Sequence, residues 1–216
     1  MVSRESKTSS HCSAPKAGRR KAKRSAPLDE TALRDLALSY AARFATTAAK
    51  LENYLARKIR ERGVAEDEDG RTRELDVTGL VTRLIELGYV DDDAYARSRS
   101  RDLTQRGYGK RRVEQALWAA GIEEQTRADH APGEAASRKA AMLLARKRGF
   151  GPFGRRDFDE EGEDQDARRK RREKQVAAML RAGHLYEHVQ FILEASQPSE
   201  VEDWVIEAEE EERDDL

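Results

Sequence analysis

Basic side chains are the residues of this chain best suited to chemistry, and that chemistry is the binding of anions. Lys110, Arg111 and Arg112 directly follow a glycine at the predicted start of a helix. Cationic side chains and free backbone N–H groups at a helix start would together suit a phosphate group. Arg97 and Arg101 lie on the helix predicted before it. The pattern predicts contact with a polyanion; the alternative is an ordinary helix exterior whose cations pair with neighbouring acids.

Two glycine-rich segments imitate phosphate-binding motifs without completing them. Residues 149–154 (GFGPFG) satisfy the pattern G-x-G-x-x-G, but a helix is predicted before this segment and an acidic loop after it. The dinucleotide-binding mechanism needs a buried strand before the glycines and a helix directly after them. Residues 107–111 contain a Gly-Lys pair but lack the earlier glycine and the hydroxyl residue of a nucleotide-binding loop. We therefore expect no nucleotide cofactor.

Candidate metal ligands are sparse. Residues 67–70 (DEDG) resemble part of a calcium-binding loop, but Ala65 occupies the position of the first ligand. His184 and His188 are four residues apart and could share one face of a helix. The intervening Glu187 is misplaced for a zinc-protease motif, so a structural role is favoured for both histidines. We expect no metal site and no catalytic residue, and hence a protein that is not an enzyme.

The composition predicts an all-α protein with small cores. Of 216 residues, 38% are charged, and 41 basic side chains stand against 42 acidic ones. Leu, Ile, Val and Phe make up less than a fifth of the chain, whereas Ala and Leu favour helices. The single cysteine, Cys12, excludes an intrachain disulfide. No apolar run approaches the ~20 residues that span a bilayer and no secretory signal is recognisable, so we expect a soluble, cytoplasmic protein without membrane contact.

Amphipathic helices that end in glycine recur along the chain. Gly63, Gly121 and Gly183 each end a predicted helix, and they lie 58 and 62 residues apart. Each of these helices has one predicted helix before it and one after it. We predict three tandem three-helix units, each burying a small face against itself and its neighbours; a chance alignment of similar helices is the alternative. The predicted units span 28–88, 89–132 and 133–195, the last with a polar loop insertion near 149–166.

Both ends of the chain carry a block of one charge. Residues 1–27 are strongly basic and residues 196–216 strongly acidic. Few large apolar residues accompany these charges, so we predict two mobile, disordered tails. Trp204, Val205 and Ile206 are the residues that could instead dock the acidic tail as a short helix.

Residues 84–96 carry the most specific pattern of the chain. Their sequence, LIELGYVDDDAYA, resembles the signature L-x-x-L-G-Y-[LV]-[DN]-D-x-x-[FY]-A of the bacterial RecX proteins, which regulate the recombinase RecA. Residues 108–122 and 172–183 resemble later segments of that family, with Ala120 in place of the usual lysine and His184 in place of an aromatic residue. The signature residues, which we expect to fix the geometry between the first two units, are Gly88, Tyr89, Asp91, Asp92, Tyr95 and Ala96.

The resemblance, which covers residues 30–195, implies an elongated, curved, all-α protein of tandem three-helix repeats. It also implies binding along the groove of RecA filaments on single-stranded DNA, with damping of RecA's ATPase, strand-exchange and coprotease activities. The leading hypothesis is a monomeric, non-enzymatic regulator of homologous recombination and the SOS response. The residues expected to contact the filament are Arg97, Arg101, Lys110, Arg111 and Arg112. The alternatives are a helix-turn-helix-like regulator that binds DNA directly, if weakly, and an adaptor whose acidic tail meets a basic partner.

Overall fold

The described part of the chain is built from α-helices. The computed structural model describes residues 26–67, 69–154 and 165–214, and within them the only β pairing is two isolated bridges. The helices are α1 (Glu30–Ala41), α2 (Ala48–Arg62), α3 (Val77–Glu86), α4 (Asp92–Gln105), α5 (Lys110–Trp118), α6 (Glu124–Asp129), α7 (Glu134–Arg148), α8 (Gln165–Arg181), α9 (Tyr186–Glu194) and α10 (Pro198–Asp214). The predicted basic tail lies outside the described residues up to residue 25, as does most of the predicted 149–166 loop.

Acidic and hydroxyl side chains start the helices of the first unit. Asp29 Oδ1 accepts from the backbone N–H of Ala32 at 2.7 Å, and Asp76 Oδ1 accepts from that of Gly79 at 2.8 Å. Thr47 caps α2 in the same way. Each cap satisfies one of the N–H groups that a helix start leaves without an intrahelical partner.

Each three-helix unit has its own hydrophobic core. The main core residues are Leu33, Leu55 and Val81 in the first unit, Ala96, Val113 and Leu117 in the second, and Met179, Val189 and Ile192 in the third. Separate small cores explain how few large apolar residues suffice, and they confirm the predicted all-α repeat fold. Val90 packs in the first core, so the first unit extends beyond its predicted end at residue 88.

The prediction of a mobile acidic tail over 196–216 is wrong for residues 198–214. These residues form α10, which packs antiparallel to α7 and adds Val201 and Val205 to the core of the third unit. Valines four residues apart lie on one face of a helix, which faces α7. Glu209 Oε1 lies 2.8 Å from the Nζ of Lys139, and Glu202 pairs with Arg146. The acidic block therefore folds because α7 supplies both apolar surface and matching cations.

The repeated glycines lie where the chain needs them. Gly63, Gly121 and Gly183 follow α2, α5 and α8 with φ of 79°, 78° and 92°, a region that strains any other residue. A Cβ on Gly63 would meet nothing within 4 Å. One on Gly121 would lie 2.3 Å from the Cβ of Ala49, and one on Gly183 would lie 2.4 Å from the backbone N of Arg112. The second and third glycines thus also let the preceding unit approach closely.

Candidate functional site

The first joint, between units one and two, is made where the start of α2 meets α4 and the end of α5. Thr47 Oγ1 donates to the backbone carbonyl of Ala120 at 2.6 Å, and Asp92 Oδ1 accepts from the backbone N–H of Ala48 at 2.9 Å. Lys50 Nζ donates to the Tyr95 hydroxyl. Burial at this joint raises the pKa of Asp92. Asp92 and Tyr95 of the signature therefore bond directly across the two units.

The other signature residues act locally or face outward. Asp91 caps α4, its Oδ1 accepting from the backbone N–H of Ala94 at 2.8 Å, and Ala96 is fully buried in the second core. Gly88 ends α3 with a φ of 74°. Tyr89 is 56% exposed and lines an open groove between the first two units. The Tyr89 side chain is thus available to a partner.

Replacing Asp92 by alanine should lower the free energy of unfolding by about 1–2 kcal/mol, the usual cost of a lost helix cap. Asp92→Asn keeps an oxygen acceptor for the Ala48 N–H and removes a charge that burial disfavours, so it should cost less than half as much. Urea unfolding of both variants, with Asp76→Ala as a cap within one unit, measures the difference. Equal losses for the alanine and asparagine variants would contradict the role assigned to the acceptor.

The second joint, between units two and three, is made where the start of α5 meets the end of α8. The backbone N–H groups of Gly109 and Arg111 donate to the carbonyls of Ala182 and Gly183 at 2.9 and 3.1 Å. The free N–H groups expected at this helix start are thus largely occupied, and that part of the phosphate-site prediction is wrong. The partial negative charge at the end of α8 compensates for cations at the start of α5.

The side chains of the five basic residues predicted as contacts are all exposed. Arg97 pairs with Asp93, whose pKa is lowered by the hydrogen bond from His130 and by Arg97 itself. Arg112 Nη1 donates to Gln115 Oε1 at 2.7 Å. The remaining three have no carboxylate partner among the described residues, and they are Arg101, Lys110 and Arg111. The second unit therefore presents unneutralised cations on both sides of the α4–α5 turn.

A groove that sequence reasoning missed lies where the α4–α5 turn packs against α7. This basic groove is open, has a volume of about 520 Å³, and is lined by Gln105, Arg106, Tyr108, Leu143, Arg146 and Lys147. Arg146, Lys147 and Arg148 are consecutive basic residues, but nothing in the sequence shows that they meet the α4–α5 turn. A second basic cluster, residues 168–172 (RRKRR) of α8, is different, because Arg169 and Arg172 pair with Glu173 and Glu194. That cluster behaves as a charged helix exterior.

The two histidines of the third unit are buried. His184 is 1% exposed and donates from Nε2 to the carbonyl of Gly107 at 3.1 Å, and His188 Nε2 lies 3.0 Å from Glu134 Oε1. The Nδ1 atoms of both histidines are buried without a hydrogen-bond partner. Burial lowers the pKa of His184 to about 4, because protonation would place a second, unpaired N–H in the interior. His184 is therefore uncharged at neutral pH, and its hydrogen bond links the third unit to the α4–α5 turn.

The potential metal ligands of the described ranges are scattered. They contain no group of three or more potential metal ligands. The glycine-rich segment at 149–154 follows α7 rather than a strand and forms a single 3-10 turn at Gly151–Phe153. Among the described residues, no helix is both long and apolar enough to span a bilayer.

The chain is similar in sequence to known proteins. Residues 91–129 match the family described as RecX, second three-helix domain. The chain is 30% identical over 165 residues to Regulatory protein RecX of Myxococcus xanthus (strain DK1622), across 74% of this chain and 83% of that protein. It is 32% identical over 143 residues to Regulatory protein RecX of Agrobacterium fabrum (strain C58 / ATCC 33970), across 65% of this chain and 70% of that protein.

The fold has a solved counterpart. The crystal structure of RecX from Lactobacillus salivarius superimposes with a TM-score of 0.56 at 18% sequence identity, across 77% of this chain and 95% of that one. At this identity the likeness concerns the fold, and it agrees with the tandem helical units described above. Together with the 30% identity over most of both chains to the Myxococcus xanthus protein, it leads to one conclusion: the chain belongs to the RecX family of regulatory proteins.

Proposed function

We propose that this protein binds RecA filaments on single-stranded DNA and inhibits RecA's ATPase, strand-exchange and coprotease activities. The observation that carries the proposal is membership of the RecX regulatory family over most of the chain. The protein acts by binding and carries out no reaction of its own. It acts as a monomer in the cytoplasm and needs no cofactor.

The repeat architecture suits a filament. Three units joined in series can touch successive protomers of a linear partner through many weak contacts, rather than through one deep pocket. The joints are held by hydrogen bonds that the backbone N–H groups of Ala48 and Arg111 donate to Asp92 and to the Gly183 carbonyl, so the units keep a defined spacing. The cations of the second unit then meet the acidic or phosphate groups of the filament.

A direct helix-turn-helix function is less well supported. In such proteins the start of the recognition helix enters the major groove of DNA. Here the start of α5 is covered by the end of α8, with the backbone N–H of Arg111 bonded to the carbonyl of Gly183. The experiment that separates the two functions is a titration of RecA's DNA-dependent ATPase beside binding to naked duplex. Inhibition at concentrations that leave duplex free supports the filament as target; duplex binding without inhibition contradicts it.

Replacing Lys110, Arg111 and Arg112 together by alanine should weaken filament binding about five- to a hundredfold. Each exposed charged contact contributes about 0–1 kcal/mol, so three are needed for a measurable loss. The backbone bonds of the second joint do not involve these side chains, so the helical circular dichroism spectrum should stay unchanged. The measurement is the concentration that halves RecA's ATPase rate, repeated at several salt concentrations.

The matched control removes the same charge elsewhere. Arg168, Arg169 and Lys170 lie exposed on α8 and can be replaced by alanine in the same way. This control should inhibit RecA at nearly the parent concentration. If the first triple variant also inhibits at the parent concentration and with the parent's salt response, the three residues are a solvated helix start, and the assignment of the contact is wrong.

A further inference from the structure

The basic groove combines the three features that a nucleic acid strand requires. Arg106, Arg146 and Lys147 supply cations, Tyr108 supplies an aromatic ring, and Leu143, which is 37% exposed, supplies an apolar wall. The guanidinium carbon of Arg106 lies 5.9 Å from the centre of the Tyr108 ring. Bases stack both on aromatic rings and on guanidinium planes, while the cations follow the phosphates.

The groove is preformed. A Cβ on Gly107 would lie 3.3 Å from the backbone N of Leu144, so the α4–α5 turn rests directly on α7. The buried bond from His184 to the Gly107 carbonyl holds the turn from below, and the bond from Gly109 to Ala182 holds its far end. A ligand therefore need not order the walls of the groove, which lowers the entropic cost of binding.

The shape of the groove indicates a strand that passes through it rather than an enclosed small molecule. Small-molecule sites cover most of their ligand, whereas this groove is open to solvent. Cations continue beyond both lining segments of the turn. Arg101 lies one helical turn before the lining residue Gln105, and Lys110 follows Tyr108 by two residues; both are exposed.

The charge balance of the groove identifies a competitor within the chain. Lys147 has no carboxylate partner among the described residues. Arg106 Nη1 lies 3.5 Å from Asp102 Oδ2, which also pairs with Arg99. Arg146 pairs with Glu202 of α10, the helix that lies against α7. Glu202 thus occupies a guanidinium group that would otherwise be available to a phosphate oxygen.

We propose that the basic groove binds single-stranded nucleic acid directly, with phosphates on Arg106, Arg146 and Lys147 and a base stacked at Tyr108, in competition with Glu202. This goes beyond the proposed function, because it requires no RecA. The cations of the groove would also pair with an acidic protein surface, but only a base gains from stacking on Tyr108. The two interpretations therefore separate on that residue.

The test is fluorescence anisotropy of a labelled oligothymidylate twenty-mer with the full-length protein, without RecA, at low salt. Arg106→Ala with Lys147→Ala should weaken binding about tenfold, whereas Arg168→Ala with Lys170→Ala, which removes the same charge from α8, should leave it within twofold. Tyr108→Leu keeps the apolar packing but loses the ring, and should weaken binding at least fivefold; Tyr108→Phe should retain it.

The variant Glu202→Gln gives the most specific result. Because it frees Arg146, binding should tighten about two- to fivefold, the opposite of what most surface changes do. Equal affinity for a duplex of the same length, an unchanged affinity on loss of Arg106 and Lys147, or no effect of Tyr108→Leu would each overturn the proposal. If the protein inhibits RecA but does not bind the oligonucleotide, this proposal is wrong and the proposed function stands. If it binds the oligonucleotide but does not inhibit RecA, the proposed function is wrong and this proposal stands.

Discussion

Replacing Gly183 by alanine should lower the free energy of unfolding by about 3 kcal/mol or more, one of the largest losses available to a single methyl group in this chain. Its φ of 92° costs an alanine about 1–2 kcal/mol by itself. The added Cβ would also lie 2.4 Å from the backbone N of Arg112, which cannot move without separating α5 from α8. Urea unfolding followed by circular dichroism measures the loss.

The chain offers a matched control in Gly88. It ends α3 with a φ of 74° and has the same hydrogen bond after it, from the next backbone N–H to the carbonyl five residues earlier. A Cβ on Gly88 would meet nothing within 4 Å. Gly88→Ala should therefore show the conformational cost alone, about 1–2 kcal/mol. Equal losses at the two positions would mean that the close approach of Arg112 to Gly183 adds nothing to the conformational cost.

Replacing His184 by glutamine should remove much of the protein's loss of stability in mild acid. The pKa of His184 is lowered to about 4 by burial, from 6.5 in an exposed chain. Between these values the unfolded chain binds the proton and the folded chain does not, so stability is full above pH 6.5 and falls as the pH drops toward 4. From pH 7.5 to pH 5 this group alone costs about 2 kcal/mol.

The measurement is the difference in unfolding free energy between pH 7.5 and pH 5 for the parent and for His184→Gln. The glutamine amide can still donate to the Gly107 carbonyl, so the variant should fold and remain close to the parent at neutral pH. Its loss between the two pH values should be smaller than the parent's by about 2 kcal/mol. Parallel curves for the two proteins would show that the pKa of His184 is the same in the folded and the unfolded chain.

The helices and their ends could be predicted from the sequence because the signals are local. Asp29 and Asp76 cap helices through bonds three residues away, and Gly121 ends one through its own φ. The fate of the acidic tail could not be predicted in this way. Val201 and Val205 form a narrow apolar stripe among many acids. This stripe becomes part of a core only because it packs against α7, some sixty residues earlier. Composition indicated disorder because the partner surface is not visible in the segment itself.

In the candidate site, too, local features could be predicted from the sequence and contacts between distant segments could not. The exposed cations, among them Arg101 and Lys110, followed from residue type and helix position. The basic groove did not, because it exists only where the turn around Gly107 lies against Leu144. The N–H groups at the start of α5 were expected to be free because the local sequence shows no acceptor for them. The acceptor of the Arg111 N–H is the carbonyl of Gly183, which belongs to another unit. Contacts between distant segments thus decide which charges are available.

The joints use one geometric operation twice: the start of α2 meets the end of α5, and the start of α5 meets the end of α8. Such a head-to-tail contact uses two different surfaces and does not close on itself. The same kind of contact can therefore be repeated along a chain, so units add without altering those already present. Proteins built this way gain or lose length in whole steps of about one unit.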